Sequence, residues 1–322
     1  MILSANGLFN SYRRRTLPDE APVAILDFGT NTTRLLITNG TSMNVRAHRV
    51  TGLGRGLGKT GRLNEQGIGR VLDAVDEFKS LISENGVQKI RAVATSAARD
   101  AVNRDDLFKP VSAALKHELE LLSGEEEARY GFLGATAGLA STDGPFLVID
   151  IGGGSTEFSY GTHEAEIYRS VDMGSVRFME QFFVNDPPKP EELSGAIQVA
   201  RLHLDDIDRD HAIVGKARSL VGVAGTITTI AAVEIGLEPY DPQIIDGFVL
   251  SRRAAEDVFR TLATESLEIR KHNPGLETAR ADVIVAGCCI LVAVMRHWEL
   301  DECLVRESDL LDGLAFELLA VE

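Results

Sequence analysis

Two stretches of this chain carry the same device: Val23-Ala-Ile-Leu-Asp27-Phe-Gly29-Thr30-Asn31-Thr32-Thr33-Arg34-Leu-Leu-Ile37 and Phe146-Leu-Val-Ile-Asp150-Ile-Gly152-Gly153-Gly154-Ser155-Thr156-Glu157-Phe158. Each reads as a buried apolar strand, a carboxylate at its exposed end, a tight turn and a returning strand. The turns are rich in Gly, Ser, Thr and Asn, so backbone N–H groups and hydroxyls can converge on an oxyanion with no Cβ in the way. Two such turns in similar halves can grip a polyphosphate from both walls of a cleft. Asp27 and Asp150 then face that cleft.

A chain of 322 residues suits two domains of about 150 residues each. Its 44% hydrophobic and 25% charged residues are ordinary for a globular protein. No apolar stretch approaches the roughly 20 residues that span a bilayer, which excludes a membrane-spanning role. The net charge of −15 argues against nucleic acid and anionic membranes as partners. A polyanionic substrate therefore needs locally placed cations, and Arg34, Arg99 and Arg177 each adjoin a Gly/Ser/Thr-rich segment. Cys288, Cys289 and Cys303 have neither C-x-x-C spacing nor a histidine cluster, so the expected compartment is the reducing cytoplasm.

Strands and helices alternate, which makes the fold α/β. Asn64 caps a helix with an apolar stripe from Ile68 to Ile82, a strand covers 89–95, and a helix opens at Ser96. In the second half a strand at 166–172, helices at 175–183 and 190–209, a strand at 219–223 and a helix behind Gly225-Thr226 repeat the order. An apolar helix over 283–295 can serve as core or as interface. A final strand at 303–306 leads into a closing helix. The expected organisation is a mobile arm at 1–21, a first domain at 22–128 and a second at 129–322, with the closing helix from about residue 309 packing back on the first domain.

Asp150 and Glu157 flank the second turn, and two carboxylates beside phosphate oxygens suit Mg²⁺; a solvent-facing Glu157 is the bland alternative. Three strand-to-helix joins, Thr95-Ser96-Ala-Ala-Arg99, Gly174-Ser175-Val-Arg177 and Gly225-Thr226, offer hydroxyls and helix N-termini to anions, or simple capping. Glu125, Glu126 and Glu127 follow Ser123 at a helix start, where dipole complementation and a capping box account for them on residue chemistry alone. Gly52-Leu-Gly-Arg55-Gly-Leu-Gly58-Lys59-Thr60 lacks P-loop spacing. It reads as a flexible loop near the cleft, with Arg55 or Lys59 within reach of phosphates.

The ordered set Asp27-Phe-Gly-Thr-Asn-Thr-Thr-Arg34, Ala94-Thr-Ser-Ala-Ala-Arg99, Ser123-Gly-Glu-Glu-Glu-Ala-Arg129, Asp150-Ile-Gly-Gly-Gly-Ser-Thr-Glu157 and Gly174-Ser-Val-Arg177 resembles the exopolyphosphatase/guanosine pentaphosphate phosphohydrolase (Ppx/GppA) family. Gly225-Thr226 and Arg280-Ala-Asp282-Val-Ile fit as well. The resemblance implies two ribonuclease-H-like, actin-like (ASKHA) domains around a phosphate-binding cleft, Mg²⁺ with Mn²⁺ as a substitute, and a homodimer. It puts the catalytic base on Glu127, with Glu126 the alternative because of the extra Glu125, and Asp150 and Glu157 at the metal. Asp27 then orients water or substrate. Gly29, Thr30, Asn31, Thr32, Arg34, Arg99, Gly152, Gly153, Gly154, Ser155, Thr156, Ser175, Arg177, Gly225 and Thr226 hold phosphate.

The chain departs from the family pattern at Leu311, where an arginine is common before the acidic-Gly pair Asp312-Gly313. It also lacks the helical C-terminal domains of long members, which points to short chains as substrate. The expected activity is release of terminal phosphate from inorganic polyphosphate, with guanosine pentaphosphate as the alternative substrate. A kinase or a non-catalytic polyphosphate or alarmone sensor of the same fold are the competing readings.

Overall fold

The computed structural model describes residues 21–211 and 216–320, so the expected arm lies outside the described residues except for Ala21. Each half builds one sheet from the same plan. In the first, β1 (Val23–Phe28), β2 (Thr32–Thr38) and β3 (Asn44–Val50) form an antiparallel meander, and β4 (Lys89–Ala94) and β5 (Leu119–Leu121) add in parallel on the other side of β1, giving the order β3-β2-β1-β4-β5. In the second, β6 (Phe146–Ile151), β7 (Thr156–Gly161) and β8 (Ala165–Val171) form the meander. β9 (Ser219–Val223) and β11 (Glu302–Val305) extend it in parallel, and β10 (Val249–Ser251) edges the sheet. This shared order is the ribonuclease-H-like arrangement, present twice.

Central strands are buried throughout because their residues face packed layers on both sides: every residue of β1 and of β6 is buried. Helix Glu65–Glu84 lies against the first sheet through Ile68, Val71, Val75 and Phe78, and Asn64 caps it by accepting from the Gly67 N–H. Helix Ile284–His297 is buried continuously from Ile284 to Met295 at the centre of the second core. Its apolar surface belongs to the protein interior. Among the described residues no helix is long and apolar enough to cross a membrane.

Two helices join the halves. Helix Gly124–Ala135 packs Phe132 and Ala135 against Phe146, Val148, Val221 and Val223 of the second sheet, while its Tyr130 reaches the first. Helix Leu310–Ala320, which follows β11, lays Leu310, Leu311, Leu314 and Leu319 against Val23, Ile25, Leu36 and Val93. Leu311 is thus core, which explains why an apolar side chain stands there. The two helices cross closely at Gly134 and Gly313: a Cβ on Gly134 would fall 1.8 Å from the Asp309 carbonyl, and one on Gly313 2.0 Å from the Tyr130 carbonyl.

The structure corrects three expectations. The helix opening at Ser96 ends at Asp100, its Thr95 cap makes no side-chain hydrogen bond, and a separate helix follows at Asp105–Leu115. The loop at 52–60 is tied down: Thr51 and Gly52 donate to the Asn31 carbonyl, Gly54 donates to the Thr30 carbonyl, Leu53 is fully buried and Leu57–Thr60 form a helical turn. Finally, β3 is an additional strand, and its exposed basic residues give little apolar alternation.

Candidate active site

The β1–β2 and β6–β7 turns meet face to face. A Cβ on Gly153 would stand 3.1 Å from Thr30 Cβ and 3.2 Å from Asn31 Cβ; one on Gly154 would fall 2.5 Å from Ser96 Oγ and 2.7 Å from Thr30 Oγ1. The missing Cβ leaves room for this approach. The turns are built alike: Gly29 N–H donates to Thr32 O (3.1 Å) and Gly152 N–H to Ser155 O (3.0 Å). Ser175 and Val176 N–H groups, at the start of helix Ser175–Phe182, donate to the carbonyls of Gly152 and Gly153, and Thr156 Oγ1 donates to Met173 O. Ser175 and Thr156 therefore brace the second turn.

Strand register sets the charges. Asp27 lies opposite Arg34 across β1 and β2, and at the equivalent position Asp150 lies opposite Glu157 across β6 and β7. The first pair is an ion pair: Arg34 Nε and Nη2 donate to Asp27 Oδ2 at 2.9 and 2.7 Å. The second sets two carboxylates side by side, a destabilising arrangement unless a cation compensates it. Burial pushes Asp150 up to about 8, with Asp309, Glu127 and Asp27 adding to the rise against Arg34. Burial also raises Glu157 well above its usual range, reinforced by Glu127 and Asp150. Ser170 Oγ, on β8, donates to Glu157 Oε1 at 2.7 Å.

The glutamates at the start of helix Gly124–Ala135 divide their roles. Ser123 and Glu126 make the full capping box, so Glu126 is spent on the helix start. Glu127 is only 9% exposed and receives Arg99 Nη1 at 2.7 Å. Burial raises its pKa, and Arg99 opposes the rise. Arg99 also donates to the Leu122 carbonyl, and its Nη2 stands 3.9 Å from Glu157.

The cleft cations are already paired. Arg34 Nη1 meets Asp309, which precedes the last helix, so both faces of its guanidinium are held by carboxylates. Arg177 donates from Nε to Gly154 O (2.7 Å) and from Nη2 to Asp100 (2.6 Å), bridging the halves. Arg280 Nη2 approaches Thr32 Oγ1 at 3.4 Å, and the same guanidinium occupies the space a Gly225 Cβ would take. Gly225 and Thr226 begin helix Ala224–Ile235, where Ala224 holds a φ of 68°.

Asp27 Oδ1, Thr30 Oγ1 and both amide atoms of Asn31 are buried without a hydrogen-bond partner. Four unsatisfied polar atoms in one turn cost several kcal/mol, on the order of 1–3 each, unless a ligand uses them. Among the described residues no cluster of three or more His, Cys, Asp or Glu side chains forms a metal cage. The paired oxygens of Asp150 and Glu157, whose charges need neutralising, suit Mg²⁺, which binds through one or two carboxylates and keeps its waters. Sequence reasoning did not single out Asp309, Ser170 or Glu180, and it named Arg280 only within a family-matching run. Of these, Asp309 had a signal, since it is a carboxylate standing directly before a helix start.

The sequence profile of the Ppx/GppA phosphatase family matches residues 38–322. The chain is 36% identical to "Exopolyphosphatase 2" of Mycobacterium tuberculosis, over 92% of this chain and 98% of that protein. It is 28% identical to "Guanosine-5'-triphosphate,3'-diphosphate pyrophosphatase" of Aeromonas salmonicida, over 92% of this chain and 59% of that protein. The solved structure of the Aquifex aeolicus PPX-GPPA enzyme superimposes with a TM-score of 0.76 at 33% identity, covering 93% of this chain and 99% of that one. With the duplicated sheets and the opposed glycine turns, these likenesses show that the chain belongs to the Ppx/GppA phosphatase family.

Proposed function

We propose that this protein is a phosphohydrolase that releases terminal orthophosphate from inorganic polyphosphate. The observation that carries the reading is the opposition of two glycine turns with unsatisfied polar atoms beside a buried Glu127. A terminal phosphoryl group lying between Thr30–Asn31 and Gly153–Gly154 would receive backbone and side-chain donors from both walls. Glu127 would accept the proton of the attacking water, since desolvation raises its pKa and makes it a stronger base than an exposed carboxylate. Arg99 would hold that carboxylate in place and in its ionised form.

Asp150 and Glu157 would hold Mg²⁺, with Mn²⁺ as a substitute, and the ion would neutralise charge on the transferring group. Asp27 would orient the water or the substrate. Arg34, locked between Asp27 and Asp309, would act as a fixed positive centre. This reading takes the protein as a cytoplasmic homodimer; its three cysteines are free and buried, as a reducing compartment permits.

Guanosine pentaphosphate is the second candidate substrate, because family relatives carry that activity in their names. The deciding assay is phosphate release from polyphosphates of graded length, guanosine pentaphosphate and ATP, with Mg²⁺ and with chelator. Mg²⁺-dependent release from polyphosphate is the expected result. Transfer from ATP to an acceptor, or binding without turnover of any of these, overturns the proposal.

A further inference from the structure

Beside the carboxylate cluster lies a second space that the reaction itself does not use. It is a cavity of about 430 Å³ between the halves, bordered by Thr30, Lys59 and Ser96 on one side and Gly154, Arg177 and Glu180 on the other. Asp27, Glu127, Asp150 and Glu157 are not among its lining residues. Thr30, one of its lining residues, is 6% exposed. Lys59 gives it positive charge, Arg177 borders it already paired with Asp100, and Thr30 and Gly154 belong to the two opposed turns. A chain of phosphates held by its end between those turns has this space for its next units.

One side chain works against that use. Glu180, on helix Ser175–Phe182, crosses the cleft and accepts the Gly56 N–H at 2.7 Å. It takes a backbone donor of the glycine loop, and it places a negative charge on a wall that phosphates would pass. Resting on the polyphosphatase reading, in which the cleft between the halves holds the substrate's remaining phosphates, we propose that Glu180 is the residue that limits how long a chain this cavity takes. Repulsion from one carboxylate in a partly desolvated cleft changes affinity for a nearby anion by roughly tenfold or more.

Glu180→Gln tests this, since it removes the charge and keeps an oxygen able to accept from Gly56. Phosphate release is measured on triphosphate and on chains of several hundred units, across a range of KCl. The expected result is a roughly tenfold fall in KM for the long chain relative to triphosphate, with kcat little moved, and a difference that shrinks as salt screens it. Lys59→Ala, on the opposite wall, moves the long-chain KM the other way. A long-to-short KM ratio that neither change alters overturns the assignment of Glu180 while leaving the polyphosphatase reading intact. A wild-type protein that releases phosphate from no polyphosphate overturns both.

Discussion

Asp150 and Glu157 are set opposite each other by strand register, and Arg99 stands too far from Glu157 for a hydrogen bond. Their raised pKa values make a statement about stability. A carboxyl that titrates at 3.8 unfolded and at about 8 folded stabilises the native state fully below the lower value, and the gain is lost as pH rises through the upper one. Asp27, Glu127 and Glu157 shift in the same direction. Metal-free protein is therefore expected to melt at falling temperature as pH climbs through this window, and Mg²⁺ to restore the loss; thermal scans in chelator and in Mg²⁺ check this, and a flat profile contradicts it. Arg99 opposes the desolvation of Glu127, so Arg99→Gln is expected to move the acid limb of kcat/KM to higher pH. On the acid side of the limb, activity at a fixed pH should fall about tenfold for each unit of that movement. A pH–rate profile of the variant reads it directly.

Helix Gly124–Ala135 does three jobs at once: it carries Glu127, contacts both sheets and crosses helix Leu310–Ala320 at the Gly134–Gly313 contact. A Cβ at Gly134 would meet a backbone carbonyl, which cannot swing away as a side chain can. Gly134→Ala is expected to cost about 3 kcal/mol or more, read as a shift in urea midpoint; a shift within experimental error would show that the helices separate easily. Ser123→Ala removes the cap and should cost about 1 kcal/mol. Legibility at this scale followed local chemistry. Asn64 and Ser123 announce helix starts because a cap is a local hydrogen bond, and each accepts an N–H from the first turn. Helix Asp105–Leu115 went unannounced, since Arg104 makes no cap bond and Pro110 lies within it.

At the scale of the molecule, the duplication was legible because each copy is one strand, one turn and one strand in a short continuous run of sequence, Val23–Thr38 and Phe146–Gly161. The return of the closing helix to the first domain was expected as well; what was not legible is which side chains it brings together. Arg34 and Asp309 are 275 residues apart and meet only because helix Leu310–Ala320 returns to the first sheet. Arg99 and Arg177 are likewise committed to carboxylates from elsewhere in the chain, Glu127 and Asp100, a fact that no local pattern encodes. A chain ending before Asp309 would lose the layer that covers Val23, Ile25 and Val93 and is expected not to unfold cooperatively. The account as a whole stands on Glu127 facing the two turns as the group that activates water. Its most direct test is Glu127→Gln, assayed for phosphate release and for polyphosphate binding side by side in Mg²⁺. A loss of release of at least about a hundredfold with binding retained is the predicted result, and release within a few-fold of wild type would contradict it.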